Sequence, residues 1–497
     1  MPKLILNDVR CQVEDEEDVG FLWALDRELS HMVQGAQHTK AYRGWMDPFK
    51  GVFVAWDGRN RLFEPSDMSF PLGLKNRVEE FYKKDNRELT VIDHRTPKSV
   101  GNAVDILPAL KRMNKVPRPY QIDALKASRG NDRGIIRLPT GSGKTLVATM
   151  IAADIGKKTI VYVIGKDLLH QLHSFFKEVF DGADIGIIGD GFCEIGDINV
   201  ASVWTVGQAL GMKKSNILSE NDDDEATIEP EKYGEIRELL KSAKTHIIDE
   251  CHMAACETIQ TMFQNMNPEH VYGMSASPWR DDGADIMIEC ILGHKIIDVS
   301  ASDLINQGYL VKPMIKFMRV PKYPHKIPKQ YKTIYKHYIV ENEERNGLVL
   351  SMSEKLVELG YRPLILYNSV KHGKILNNMM AQRFPCVLLS GKDKMSVRQQ
   401  AKEDIENGRI KAIIASKIFD VGIDLPVLSG LIIASSGKSS VRALQRIGRV
   451  IRPYKGKKQA AVVDFIDDAA YLKKHSQARK KIYEYEKGFE VQWPKMK

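Results

Sequence analysis

The stretch Leu138-Pro-Thr-Gly-Ser-Gly-Lys-Thr145 holds the residue types that grip a polyphosphate. Its glycines let backbone N–H groups turn inward on phosphate oxygens, and a following helix adds positive potential at its N-terminus. Lys144 suits the β- and γ-phosphates, and the Thr145 hydroxyl suits Mg²⁺. Pro139, Thr140, Gly141, Ser142 and Gly143 form the rest of the cradle. The strict form of such a loop has Gly where this chain has Leu138. Further on, Asp249-Glu250-Cys251-His252 closes an apolar run. Asp249 suits the magnesium-side carboxylate, and Glu250 suits the group that orients and polarises an attacking water. Two adjacent acids at a buried strand end are costly unless a cation is near. A third group is Gln445-Arg446-Ile-Gly-Arg449-Val-Ile-Arg452. In a helix, Gln445, Arg449 and Arg452 share one face at i, i+4 and i+7. Arginine keeps its proton and forks onto phosphate, so it suits transition-state charge. Alone, these could be a chance glycine turn, a surface strand end and a solvated basic helix. Together they point to ATP hydrolysis with Mg²⁺.

Such residues need strands that end beside one another. From about residue 133 the chain alternates short apolar runs with helical stretches. The first series is Gly134–Leu138, Thr159–Ile164, Ile198–Val203, Thr245–Asp249 and Val271–Ser275. The second is Pro363–Tyr367, Cys386–Ser390, Lys411–Ser416, Leu431–Ser435 and Ala461–Phe465. These runs are rich in Ile and Val with little alternation, as in parallel strands covered on both faces. The fold class is therefore α/β, with two tandem parallel-sheet domains. They are expected at 113–294 and 295–497, with the boundary near Leu292–Asp298. Residues 1–112 are rich in turn and aromatic residues and read as a small α+β accessory domain. Within it, Gly51–Phe63 reads as a hairpin turning at Asp57-Gly58. Asp93–Val104 reads as a linker.

At 497 residues, about three domains are expected. Hydrophobic residues make up 43% and charged residues 28%, which excludes wholesale disorder and fibrous classes. No apolar run suits a signal peptide or a membrane span. The six cysteines are scattered with no CxxC pair, which suits a reducing cytoplasm and argues against a disulfide scaffold or zinc ribbon. The balance of 73 Lys/Arg and 64 Asp/Glu leaves +9 and hints weakly at a polyanion. The charge is uneven. Lys438–Lys497 holds 16 bases and 6 acids, a net +10, and Glu220–Glu238 holds 9 acids and 2 bases, a net −7. The acidic run reads as a solvated loop.

The ordered set resembles a superfamily 2 helicase over about residues 117–465. Arg118-Pro-Tyr-Gln121 resembles the adenine-reading Q motif, which implies Tyr120 and Gln121 at the base. Leu138–Thr145 resembles motif I in its helicase form, and Asp249–His252 motif II. Ser275-Ala-Ser277 resembles motif III, which implies that Ser275, Ser277 and His252 couple the ATP and nucleic-acid sites. The usual Ser-Ala-Thr reads Ser-Ala-Ser here, which keeps both hydroxyls. Ala415–Asp424 resembles motif V and Gln445–Arg452 motif VI. These imply Gly422 and Asp424 at the nucleotide edge, Gln445 near the γ-phosphate, and Arg449 and Arg452 as arginine fingers. Two tandem RecA-like domains are implied. A narrower likeness lies in Trp56–Phe63, Phe70–Leu74 and Ser277–Gly283. These are similar to the phage UvsW-type recombination helicases, and the last also to XPB-type repair helicases.

That resemblance implies a motor on branched DNA that migrates branches, regresses forks and unwinds R-loops. ATP would bind in the cleft of the two motor domains, with the nucleic acid across their top. By analogy, DNA-side segments are Ile164–Gln171, Ala201–Thr205, Asn368–His372 and Ser390–Lys392. Lys166, Thr205, Arg280, Ser369 and Lys392 are the contacts expected, largely to phosphate, which reads no sequence. Trp204 is either a base-stacking residue or core, and the basic Lys473–Lys481 either a backbone contact or a solvated helix face. Single-stranded-DNA-binding or recombination proteins are partners in keeping with this reading, and the host cytoplasm is the compartment if a phage encodes the chain. Rivals are an RNA or hybrid helicase, a restriction motor subunit and a non-catalytic DNA scaffold.

Overall fold

Apolar runs too uniform to face water on either side become parallel strands sandwiched between helices, and the chain builds two such sheets. The computed structural model describes residues 1–46, 53–212, 226–264, 266–279, 283–323, 330–391, 393, 395–416, 425–437 and 440–494. The acidic run Glu220–Glu225 lies outside them. Two compact units result: Met1–Arg137 with Gly143–Asp298, and Leu138–Ser142 with Val299–Lys497.

The first unit's eight-stranded sheet runs in the order Phe192–Glu194, Ile185–Gly189, Ile198–Ser202, Thr159–Val163, Thr245–Asp249, His270–Ser275, Arg133–Arg137, Lys295–Asp298. All neighbours are parallel except the edge strand Phe192–Glu194. The stretch expected to separate the motor domains thus includes an edge strand of the first sheet, and the changeover follows Asp298. A second, four-stranded sheet belongs to the same unit, in the order Ser69–Pro71, Arg10–Glu14, Lys3–Leu6, Thr90–Asp93.

That N-terminal sheet is separate in its hydrogen bonding but not in its packing. Leu6, Phe70, Leu74 and Val78 share one continuous core with Val271, Ile288, Ile291 and Leu292. Gly73 shows how close the seam is. A Cβ there would fall inside van der Waals contact of the Glu289 and Cys290 carbonyl oxygens, on the helix Ile286–Leu292. Arg77 spans the seam, reaching Glu28 (2.8 Å) and Glu289 (2.7 Å).

The expected hairpin over Gly51–Phe63 does not form. Arg59–Arg61 pairs instead with Ser30–Met32, and Phe53–Val54 with Trp45–Met46. Asp57-Gly58 still turns the chain, with Asp57 accepting from the Arg59 N–H (3.1 Å) and Gly58 at φ +82°. The turn signal was local, whereas strand partners were chosen by packing. The expected linker after Asp93 lacks regular structure, yet the Asn102 and Val104 N–H groups bond Gly156 and Ala153.

The second unit's sheet has seven strands, all parallel: Cys386–Leu389, Ala412–Ala415, Pro363–Leu366, Gly430–Ile433, Gln459–Ile466, Lys312–Arg319, Glu490–Gln492. No helix among the described residues is long and apolar enough to cross a membrane.

Candidate nucleotide-binding site

The strand Arg133–Arg137 delivers the phosphate loop, and the helix Lys144–Ile155 takes over from it. Gly141 and Gly143 lie at φ +86° and +81°, the left-handed region that turns backbone N–H groups toward one point. A Cβ on Gly143 would also stand 2.5 Å from Gln121 Nε2, so this position is closed to other residues twice over. Gln121 is buried, and its carboxamide is held at both ends. Oε1 accepts from the Arg118 N–H (2.8 Å), and Nε2 donates to the Gly143 carbonyl (3.4 Å). Arg118 also donates to the Tyr120 hydroxyl (2.9 Å). The Q-motif residues therefore brace the end of the phosphate loop.

The acidic pair sits at the C-terminal end of the strand Thr245–Asp249, where α/β sheets bind ligands. Lys144 Nζ stands 3.6 Å from Glu250 Oε1. Glu250 Oε2 accepts from the Ser275 hydroxyl (3.1 Å) and lies 3.4 Å from His252 Nδ1. The Ser277 N–H in turn donates to Ser275 Oγ (3.1 Å). Loop lysine, acidic box and both motif III serines thus converge within the first unit. Glu250 itself has φ +53° and ψ +55°. A non-glycine residue there carries strain on the order of 1–2 kcal/mol, which persists where the surroundings over-determine it. Burial opposes the Glu250 charge, but Lys144, His252 and Ser275 outweigh it and hold the carboxyl below its usual range. Asp249 goes the other way: burial, then the adjacent Glu250 charge, push it up.

A buried carboxylate pushed toward protonation is the donor that a divalent cation stabilises. With the Thr145 hydroxyl it makes a hard oxygen set that fits Mg²⁺. No cluster of three or more His, Cys, Asp or Glu side chains forms a metal site among the described residues. Mg²⁺ held largely by phosphate oxygens and water needs none.

Sequence reading overlooked Arg137. It is buried at the strand's end and donates to Asp298 (2.8 Å) and the Ala276 carbonyl (3.4 Å), with its guanidinium 4.9 Å from the Trp279 ring centre. It ties the segment after Ser275 to the strand that feeds the phosphate loop. The signal was a charged residue directly after the apolar pair Ile135-Ile136 and before the phosphate loop.

In the second unit, Gln445 and Arg446 are buried and Arg449 half-buried on the helix Ser440–Val450. Arg452 lies beyond that helix's last residue, although the Ile451 N–H still bonds Ile447 (3.2 Å). The three therefore do not share one uninterrupted helix face, contrary to expectation. Gly422, Asp424, Arg280 and Lys392 lie outside the described residues. Lys166 opens the helix Lys166–Val179, and Ser369 precedes the helix Val370–Ala381; both are half-buried. Thr205 is fully buried and Trp204 nearly so. The helix Val203–Ala209 turns both into packing, so neither side chain is presented to a nucleic acid in this conformation. In the basic stretch, Lys473, Lys474 and Lys481 are exposed, but Arg479 is buried against Asp464.

Residues 114–280 match the family described as "Type III restriction enzyme, res subunit", and residues 345–454 match "Helicase conserved C-terminal domain". The two matches together span more than half of the chain and hold the phosphate loop, the acidic box and the arginine helix in order. The chain belongs to the superfamily 2 helicases. Among relatives in this superfamily, the chain is 27% identical over 447 residues to "ATP-dependent DNA helicase uvsW" of Enterobacteria phage T4, covering 86% of this chain and 84% of that one. It is 26% identical over 375 residues to "Putative helicase 22" of a Sulfolobus islandicus filamentous virus, covering 70% of this chain. There it spans 64% of the viral protein's length. Among solved helicase structures, S. cerevisiae Dbp5 bound to RNA and ADP BeF3 superposes with a TM-score of 0.54 at 15% identity, over 79% of this chain and 94% of that one. That likeness concerns the fold: tandem RecA-like domains with parallel sheets.

Proposed function

We propose that this helicase couples ATP hydrolysis to movement on DNA and acts on branched substrates. It migrates junctions, regresses forks and unwinds R-loops in recombination, replication and repair. The observation that carries the ATPase reading is the convergence of Lys144, Glu250, His252 and Ser275 within hydrogen-bond or ion-pair distance beside the phosphate loop. Support for DNA comes from the relatives named a DNA helicase in phage T4 and a DNA 3'-5' translocase in Sulfurisphaera tokodaii.

In this reading Lys144 balances the charge of the β- and γ-phosphates. Tyr120 and Gln121 hold the adenine. Glu250, kept ionised by Lys144 and held by Ser275 and His252, orients and polarises the attacking water. Thr145 and Asp249 would hold Mg²⁺, which supplies charge neutralisation at the phosphates. Gln445, Arg449 and Arg452 supply positive and hydrogen-bonding groups to the transition state, with Gly422 and Asp424 at the nucleotide edge. Lys166, Ser369, Arg280 and Lys392 remain the proposed DNA contacts. Residues 1–112 recognise the branched substrate, and the protein works in the cytoplasm with single-stranded-DNA-binding or recombination proteins.

A phosphate-release assay across duplex, fork, Holliday junction, R-loop and RNA duplex tests this. Stimulation greatest with forks and junctions, lost in Lys144→Ala, is expected. Strongest stimulation by RNA duplex overturns the DNA assignment. Retained stimulated turnover in Lys144→Ala overturns the motor assignment.

A further inference from the structure

A cavity of about 300 Å³ lies where the N-terminal sheet meets the helices Glu257–Gln264 and Ile286–Leu292. Its walls carry three arginines, Arg10, Arg61 and Arg133, against one acid, Glu64, with Phe63 and Phe263 as apolar surface. Arg61 is balanced by Asp26 (2.8 Å) and Asp57 (2.6 Å). Arg133 is not balanced. Its Nη1 donates to the Ile291 carbonyl (2.9 Å), and no described carboxylate pairs with it. Burial, then the nearby Arg95 charge, pulls its guanidinium down to about 10. Arg10 donates to the Ser69 hydroxyl (2.9 Å) and likewise has no described carboxylate partner.

A half-buried guanidinium without a counter-charge is costly, and such a cost persists where an anionic ligand can relieve it. Arginine's fork matches phosphate geometry, and aromatic walls suit the flat face of a base. The volume falls at the small end of the range for ligand pockets. We propose that this cavity binds a phosphate-bearing ligand the size of one nucleotide, with Arg133 and Arg10 on the phosphate and Phe63 and Phe263 against its apolar body. The site is distinct from the ATP loop. Arg133 opens the strand whose opposite end, Arg137, leads into that loop. The proposal therefore does not depend on the motor assignment. The nucleotide could be a free molecule or one unit of a nucleic-acid strand.

The test uses the full chain with its phosphate loop saturated by a non-hydrolysable ATP analogue and Mg²⁺. Calorimetric titration compares dTMP, inorganic phosphate and a short single-stranded oligonucleotide at constant ionic strength. Binding of dTMP points to a free nucleotide, and binding of the oligonucleotide alone to a strand. In either case Arg133→Met is expected to weaken binding at least about tenfold, the loss of one charge-assisted contact. The same substitution is expected to raise the melting temperature of the unliganded chain, since it removes a half-buried, unbalanced cation. Arg10→Ala, at an exposed position, is expected to weaken the same binding without unfolding the protein. The proposal fails if no probe binds, or if binding is unchanged in both variants. It also fails if Arg133→Met lowers the melting temperature, which would make the arginine structural.

Discussion

At the phosphate loop, Lys144 stands 3.6 Å from Glu250, a looser pair than a direct hydrogen bond, and Glu250 holds a strained backbone. In the second unit, Arg479 grips Asp464 through two bonds of 2.8 and 2.7 Å, and Tyr483 adds a third to the same carboxylate (3.1 Å). Arg345 bonds Asp467 (2.7 Å) nearby, and both arginines are all but inaccessible. The remaining donors matter as much: Arg345 reaches the Ala434 carbonyl and Arg479 that of Gly437, both at 2.6 Å. These carbonyls lie in the segment that links the strand Gly430–Ile433 to the helix carrying Gln445 and Arg449. One set answers its charge through several longer contacts at the ligand-binding end of a strand. The other is nearly saturated by short bonds that also anchor the Ala434 and Gly437 carbonyls. Burial of charge alone therefore does not mark a functional site; its place at a strand's ligand-binding end beside a phosphate loop does.

Substitutions should split along that line. Glu250→Gln is expected to cut ATP turnover by roughly 10²–10⁴, the range for general-base assistance to an attacking water. Its unfolding midpoint should fall only modestly, because Gln can keep the Ser275 contact (3.1 Å) and the Lys144 contact it loses is long (3.6 Å). A large loss of stability by denaturant unfolding would break the contrast. Asp464→Ala should do the reverse at the level of the fold. Removing one partner of a buried pair costs about 3–5 kcal/mol. Urea unfolding of the second unit reads this directly, and a loss under ~1 kcal/mol would place Asp464 with the surface pairs.

Buried histidines sharpen the comparison: among the described residues each unit has one, and half-buried His270 in the first is likewise pulled down to about 4. Burial pulls His246 down to about 4 and His372 to about 3. His246 contacts the Tyr162 hydroxyl (2.8 Å), and His372 contacts Asn346 (2.9 Å). A depressed histidine is neutral in the fold and protonates in the unfolded chain below about 6.5. Acid therefore favours unfolding. Stability should fall from about pH 6.5 down to the folded values, by about 1.4 kcal/mol per pH unit for each histidine. Unfolding measured from pH 7 to 4.5 checks the slope, and a flat profile would mean the rings are already solvated. The smallest effect is expected at the N-terminal seam. Arg77 and its two acids are each about a third exposed, so Arg77→Ala should cost no more than about 1 kcal/mol. A larger loss by thermal unfolding would show that the ion pairs, rather than the apolar seam at Gly73, hold the two sheets together.

The motor strands were legible because Thr245–Asp249, Ile198–Ser202 and Pro363–Leu366 are short runs centred on aliphatic residues with no strict alternation. Two strands next to the sheet edges escaped notice for opposite reasons. Ile185–Gly189 is broken by glycines, and Lys312–Arg319 alternates charged and buried residues. Both are ordinary members of their sheets, because their neighbours rather than their own pattern supply the burial. The phosphate loop, acidic box and motif III serines were legible as types and spacings. The contact of Ser275 with Glu250 and the bracing by Arg137 were not, since each joins strands distant in sequence. The +10 C-terminal segment is a further case. Arg479 and Arg446 within it are buried, so its net charge overstates what it presents to a partner.

By itself, then, the amino-acid order determined which chemistry is possible. A glycine-rich loop before a helix, paired acids after a strand and spaced arginines are local patterns whose backbone geometry follows from their own residues. Tertiary structure alone decided which charges remain available for that chemistry. Whether Glu250, Arg133 or Arg479 meets a carboxylate, a carbonyl or an open cavity depends on side chains brought together from far along the chain, and in low-dielectric surroundings those neighbours set the energy of each charge.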